Sequence, residues 1–70
     1  MDPTVVSRFA AIAASLAFNS EEYESFNRDI QREIVMCLED GEDRTALALA
    51  NIKFKANREF YLQAKQAGRV

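Results

Sequence analysis

Cys37 is the most reactive side chain in this sequence, which contains one cysteine and no histidine. A catalytic thiol needs a base within hydrogen-bonding reach, and histidine most often supplies it. Cys37 also falls on the apolar side of a predicted helix, which indicates a buried structural thiol. A single thiol forms no intramolecular disulfide, and a structural zinc site needs about four cysteine or histidine ligands. We therefore expect neither a cysteine nucleophile nor a bound metal ion.

The eleven acidic residues are the other candidates for chemistry, because paired carboxylates can act as general acid and base. They cluster at predicted helix starts and on solvent-facing sides, where the helix dipole and solubility explain them. The run 40–43 lacks the ligand spacing of a calcium loop. Gly41 and Gly68, the two glycines, stand at predicted helix ends and form no phosphate-binding loop. The sequence thus predicts no enzyme, no cofactor and no small-molecule substrate.

A set of basic and polar residues repeats at seven-residue spacing in the last third of the chain. Residues so spaced share one side of a helix, and no acidic residue falls within their arc. We call this set the basic stripe; it consists of Arg44, Asn51, Lys55, Arg58, Lys65 and Arg69. The sequence predicts it as the partner-binding surface.

The charge of the chain is divided between its two parts. Residues 1–43 carry ten acids and three arginines, a sum of −7, whereas residues 44–70 carry six basic residues and one acid, a sum of +5. The basic stripe then has three possible interpretations. It is an ordinary solvated face, or it binds an acidic protein surface such as a second copy of the chain, or it contacts nucleic-acid phosphates. The net charge of −2 disfavours the last.

Three helices, at about 3–17, 20–39 and 43–67, are predicted to position these residues. Asp2 and Pro3 are typical of a helix start. Asn19 is a candidate N-cap for the second helix, with Phe18 packing on Tyr23 as a hydrophobic staple, and Ser20 is the alternative N-cap. Gly41 and Gly68 are candidate left-handed residues at helix ends. The third helix contains no proline or glycine, so it is expected to be continuous.

The predicted fold is an all-α single domain over 1–70, whose last two helices form an antiparallel hairpin because the connection is short. The apolar arc of the third helix covers about half its circumference, which predicts packing against two other helices. The predicted core consists of Val5, Phe9, Ile12, Leu16, Phe26, Ile30, Ile34, Leu38, Leu47, Phe54 and Tyr61.

Dimerisation is expected as well, since a chain this small usually needs help to be stable and neither a disulfide nor a metal is available. The hairpin is expected to pack as a dimeric helical bundle, with Val35, Met36 and Phe60 as dimer or partner contacts.

These observations together favour a non-enzymatic protein–protein interaction module, such as a small adaptor, regulator or inhibitor. Its expected partners are itself and another protein, and the alternative is a nucleic-acid-binding regulator that uses the basic stripe. The apolar stretch 5–18 is interrupted by polar residues, so it predicts neither a signal peptide nor a membrane span. We expect a cytoplasmic protein.

Overall fold

The computed structural model describes residues 3–16 and 20–68, and this part of the chain contains three α-helices and no strand. Helix α1 spans Pro3–Ala14, α2 spans Ser20–Glu39 and α3 spans Asp43–Gln66. The all-α prediction with three helices is confirmed. The predicted cap at Asp2 and the predicted cap and staple at Asn19 and Phe18 lie outside the described residues.

The first helix ends earlier than predicted, at Ala14 and not near residue 17. The Ser15 hydroxyl donates to the Ala11 carbonyl oxygen at 3.1 Å. Such a bond from serine to the carbonyl four residues earlier competes with continuation of the helix. The apolar pattern extends beyond the helix because Leu16, after its end, still packs against the core.

Glycine ends the second and third helices, as predicted. Gly41 has φ +75° and Gly68 has φ +74°, the left-handed conformation that L side chains avoid. After Gly41 the Glu42 amide donates to the Cys37 carbonyl oxygen at 2.8 Å, which ties the connection back onto α2. α3 then runs without a break for 24 residues, or about 36 Å.

The third helix contacts both of the others, and its contact with α2 is the more extensive. This confirms the prediction drawn from its broad apolar arc. Phe9 of α1 meets Phe26 of α2 edge-on, with ring centroids 6.3 Å apart. The buried apolar residues form one cluster of Phe9, Phe26, Ile30, Ile34, Cys37, Ala46, Leu49 and Ala56.

The predicted core is correct for α2 up to Ile34 and wrong for all three of its residues on α3. Phe9, Phe26, Ile30 and Ile34 are buried, and Val5 and Leu16 pack against the core. The exposed members of the predicted core are Ile12, Leu38, Leu47, Phe54 and Tyr61.

The buried side of α3 is formed instead by Thr45, Ala46, Leu49 and Ala56. Two helices approach α3 from this side, and small side chains allow a close approach. The size of the apolar residues predicts a core under the largest of them on α3, and that criterion is wrong here.

Candidate interaction surface on the third helix

An unbroken α3 keeps the described members of the basic stripe on one exposed side of the helix. Arg44, Asn51, Lys55, Arg58 and Lys65 are all exposed. Arg69 lies outside the described residues. Since consecutive residues are about 100° apart, Arg44, Asn51, Arg58 and Lys65 form a row along the helix.

Lys55 stands at the edge of this row that is nearer to α1. Together with Ala10, Ala13 and Ile52 it lines an open groove of about 260 Å³ between α1 and α3. Lys55 therefore faces different surroundings from Arg58, although both belong to the basic stripe.

A row of exposed apolar residues runs beside the basic row, and the sequence interpretation had assigned it to the core. Leu47, Phe54 and Tyr61 are spaced by seven and are 64%, 64% and 51% exposed. We call these three residues the apolar row. The seven-residue repeat was visible in the sequence, and only the solvent-facing position of the row was missed.

The predicted contact residues Val35, Met36 and Phe60 lie in three different settings. Val35 and Met36 are 43% and 49% exposed, and as neighbours on α2 they point about 100° apart. Phe60 is half-buried, and its ring stacks on that of Tyr23 with centroids 4.0 Å apart. Phe60 thus contributes to the contact between α2 and α3, and the structure brings the three into no common patch.

Polar contacts between α2 and α3 define which residues stand opposite each other. The Tyr23 hydroxyl, near the start of α2, donates to Asn57 Oδ1 in the second half of α3. Lys53 Nζ donates to Gln31 Oε1 at 2.6 Å. Lys53 is half-buried, as expected for a lysine whose stem covers the core. Its cation is therefore already engaged and is not part of the exposed basic row.

The thiol of Cys37 is buried and free. Burial is the largest cause that raises the pKa of this thiol, and the negative charges of Glu42, Glu33 and Asp40 raise it further. A raised pKa keeps the thiol protonated at neutral pH, and a protonated thiol is a poor nucleophile. This environment supports the interpretation of Cys37 as a structural residue.

The described residues contain no group of three or more His, Cys, Asp or Glu side chains arranged to hold a metal ion. Within the same residues, two buried oxygens have no hydrogen-bond partner, Asn27 Oδ1 and Thr45 Oγ1. They belong to different helices, α2 and α3.

Of the helices in the described ranges, none combines the length and the apolar character needed to cross a membrane. Comparison with protein-family models, with curated proteins and with solved structures found no match to this chain.

Proposed function

We propose that this chain is a non-enzymatic protein–protein interaction module, with a second copy of itself and another protein as its partners. The apolar row on α3 carries the proposal. Leu47, Phe54 and Tyr61 present two aromatic rings and a leucine to solvent, although each would be stabilised by burial. Contiguous exposed apolar residues beside polar ones are typical of a protein-binding surface.

The proposed architecture of the module is an antiparallel hairpin of α2 and α3. Tyr23, early in α2, contacts Asn57 and Phe60, late in α3, and Gln31 contacts Lys53 closer to the connection. Residue numbers that fall on one helix as they rise on the other support the antiparallel direction. The proposal places the module in the cytoplasm, where a single thiol stays reduced.

A capture experiment with a matched control tests the function. The tagged chain is immobilised, exposed to a lysate of its native host, and compared with a Leu47→Gln, Phe54→Gln variant. Both side chains are exposed, so the variant should keep its helical circular dichroism while it loses the captured protein. Ile12→Gln is the control, because Ile12 is an exposed apolar residue on α1. Equal capture by all three proteins would refute the proposal.

Nucleic-acid binding is the second candidate, and one observation favours it. Arg44, Lys55, Arg58 and Lys65 are exposed along one side of a continuous helix about 36 Å long. If these four cations contact phosphates, the logarithm of the binding constant should fall with the logarithm of salt with a slope of about −4. A mobility-shift series starting at about 50 mM salt measures this slope. Absence of a shift at that salt would eliminate this candidate.

A further inference from the structure

The apolar row of α3 continues onto the neighbouring side of α2. Glu24, Gln31, Val35 and Leu38 are spaced by 7, 4 and 3 residues, so they share one side of α2. The bond from Lys53 to Gln31 shows that this side borders α3. We call the combined exposed apolar residues the outer surface; it consists of Val35, Leu38, Leu47, Phe54 and Tyr61.

Charged residues border the outer surface along both of its long edges. Going round α3 from the side that contacts α2, the apolar row comes first and the basic row Arg44, Asn51, Arg58 and Lys65 comes second. The far edge of α2 carries the exposed acids Glu21 and Glu39, with Arg28 and Arg32 between them. An apolar centre with a charged border is the usual composition of a protein interface.

The molecule also exposes more surface than a compact protein of its mass. Its accessible area is 4981 Å², whereas the scaling law for folded monomers gives about 4,400 Å² at 7.9 kDa. A stable interface buries about 800 Å² per partner. The five apolar residues alone are too few for this area, so a stable interface must include the charged borders.

We infer that the outer surface is covered by a second copy of this chain, with α3 of each copy packed on α2 of the other. This inference rests on the proposed function, and it specifies the partner and the arrangement. Two twofold-symmetric arrangements bring two such surfaces face to face. In one, α3 lies on α3 and the two basic rows adjoin. In the other, α3 lies on the partner's α2, and each basic row adjoins an edge that contains acids.

Charge selects the second arrangement. Like charges side by side at an interface weaken it, and opposite charges determine its register. In this arrangement the twofold axis is parallel to the helices. Residues at the same position along the helix axes, here called the same height, therefore lie opposite each other in the two copies. Within each chain, the contact of Gln31 with Lys53 shows which residues of α2 and α3 lie at the same height. Arg44 then falls near Glu39 of the other copy and Lys65 near its Glu21, whereas Arg58 falls between its Glu24 and its Arg28.

The neutral residue of the basic row supports this register. Asn51 falls at the height of Arg32 of the other copy, where a further cation would be repelled. The order along the basic row is thus positive, neutral, positive, positive, and the acids Glu39 and Glu21 of α2 stand near its first and last positions.

Sedimentation equilibrium from micromolar to millimolar concentration tests whether the second copy binds. The expected species is a dimer of twice the 7.9 kDa chain mass. Phe54→Gln should raise the dimer dissociation constant at least about tenfold, because the ring is lost twice in a symmetric dimer. Its circular dichroism should stay helical. A monomer at every concentration, or a dimer that Phe54→Gln leaves unchanged, would overturn the inference.

A charge swap tests the arrangement. Lys65→Glu and Glu21→Arg, made singly, should each weaken the dimer by about three- to tenfold, and the double variant should recover most of the loss. Lys55→Glu is the matched control, since Lys55 lies on the same helix but lines the groove beside α1. If the double variant is no tighter than the singles, α3 does not lie on the partner's α2.

The capture experiment separates this inference from the proposed function. A chain that is monomeric at all concentrations but loses its captured host protein through Phe54→Gln would disprove the second copy and leave the interaction module standing. A chain that dimerises as described and captures nothing would leave the dimer standing and disprove a second protein partner.

Discussion

Leu47 and Leu49 lie two positions apart on α3 and have opposite surroundings. Leu49 is 0% exposed within the core, whereas Leu47 belongs to the exposed apolar row. Truncation of a buried leucine loses both its transfer free energy and the packing around the resulting cavity. Truncation of an exposed leucine in a monomeric chain loses little of either.

The pair gives a prediction with an internal control. Leu49→Ala should lower the free energy of unfolding by about 2–5 kcal/mol. Leu47→Ala should change it by less than about 0.5 kcal/mol when the chain is dilute enough to be monomeric. Urea unfolding followed by circular dichroism measures both, at several protein concentrations. Equal losses would mean that the buried side of α3 is not the one described.

Cys37 provides a prediction about pH. Its pKa in the folded chain is raised above the unfolded value by burial and by Glu42, Glu33 and Asp40. Between those two pKa values the unfolded chain has released the thiol proton and the folded chain has kept it. Stability must therefore fall as the pH rises through the unfolded thiol pKa of about 8.5, by at most about 1.4 kcal/mol per pH unit.

Cys37→Ala isolates this effect, because every other titratable group is present in both proteins. The stability of the natural chain relative to Cys37→Ala should be constant below about pH 8 and should decline above it. Urea unfolding at a series of pH values measures the difference. A difference that stays constant up to about pH 10 would show that the thiol pKa is not raised on folding.

Among the structural elements, the two helices that end at glycine differ in the role of that glycine. Gly41 ends α2 and its conformation turns the chain into α3, whereas Gly68 ends α3 near the end of the described chain. No atom lies within 4 Å of a Cβ added at either position. The cost of adding one is therefore conformational and not steric.

Alanine at these two positions should consequently have unequal effects. Gly41→Ala should destabilise the fold by about 1–2 kcal/mol, since the left-handed conformation must be kept to connect α2 and α3. Gly68→Ala should cost much less, because no residue of α3 after Ala56 is buried, so the last turn of α3 can rearrange without disturbing the core. Thermal unfolding of both variants tests this. Equal melting temperatures would indicate that the connection tolerates another conformation.

The number and type of the helices are determined by local chemistry, so they were predictable. Gly41 separates α2 from α3, Gly68 follows the end of α3, and α3 contains no glycine or proline that could interrupt it. These signals act over a few residues and need no knowledge of the fold. The row geometry of the basic stripe depends only on this continuity, and for that reason it too was predictable.

The buried side of α3 was not predictable in the same way. Apolar residues cover about half of α3, and which part of that half is buried depends on where α1 and α2 dock. They dock over Ala46, Leu49 and Ala56 and leave Leu47 and Phe54 exposed. Hydrophobicity favours the larger residues for the core, whereas close packing of three helices favours the smaller ones. Only tertiary structure decides between these two criteria.

The whole molecule has a long shape and a small core. Its extents are 41 × 18 × 17 Å, and α3 accounts for most of the longest dimension. Below about 70–80 residues a single core rarely supplies more than about 3–5 kcal/mol. Each large buried side chain is therefore a substantial fraction of the total stability.

The small total stability of the domain matters most at Phe9. It is the only buried residue of α1 within the described chain, and its ring packs edge-on against Phe26. Truncation of a buried phenylalanine costs about 3–5 kcal/mol, which equals the whole stability expected for a domain of this size. Phe9→Ala should thus leave a dilute sample largely unfolded at room temperature, with most of its helical circular dichroism lost.

Ile12→Ala is the matched control on the same helix, since Ile12 is exposed and should change stability by less than about 0.5 kcal/mol. The circular dichroism of Phe9→Ala is then measured at several protein concentrations. Because a dimer stabilises the folded chain by mass action, concentrated Phe9→Ala should recover helical structure if the outer surface is covered by a second copy. Phe54→Gln, added to Phe9→Ala, should abolish that recovery. A Phe9→Ala chain that is fully folded when dilute would contradict the small core on which both expectations rest.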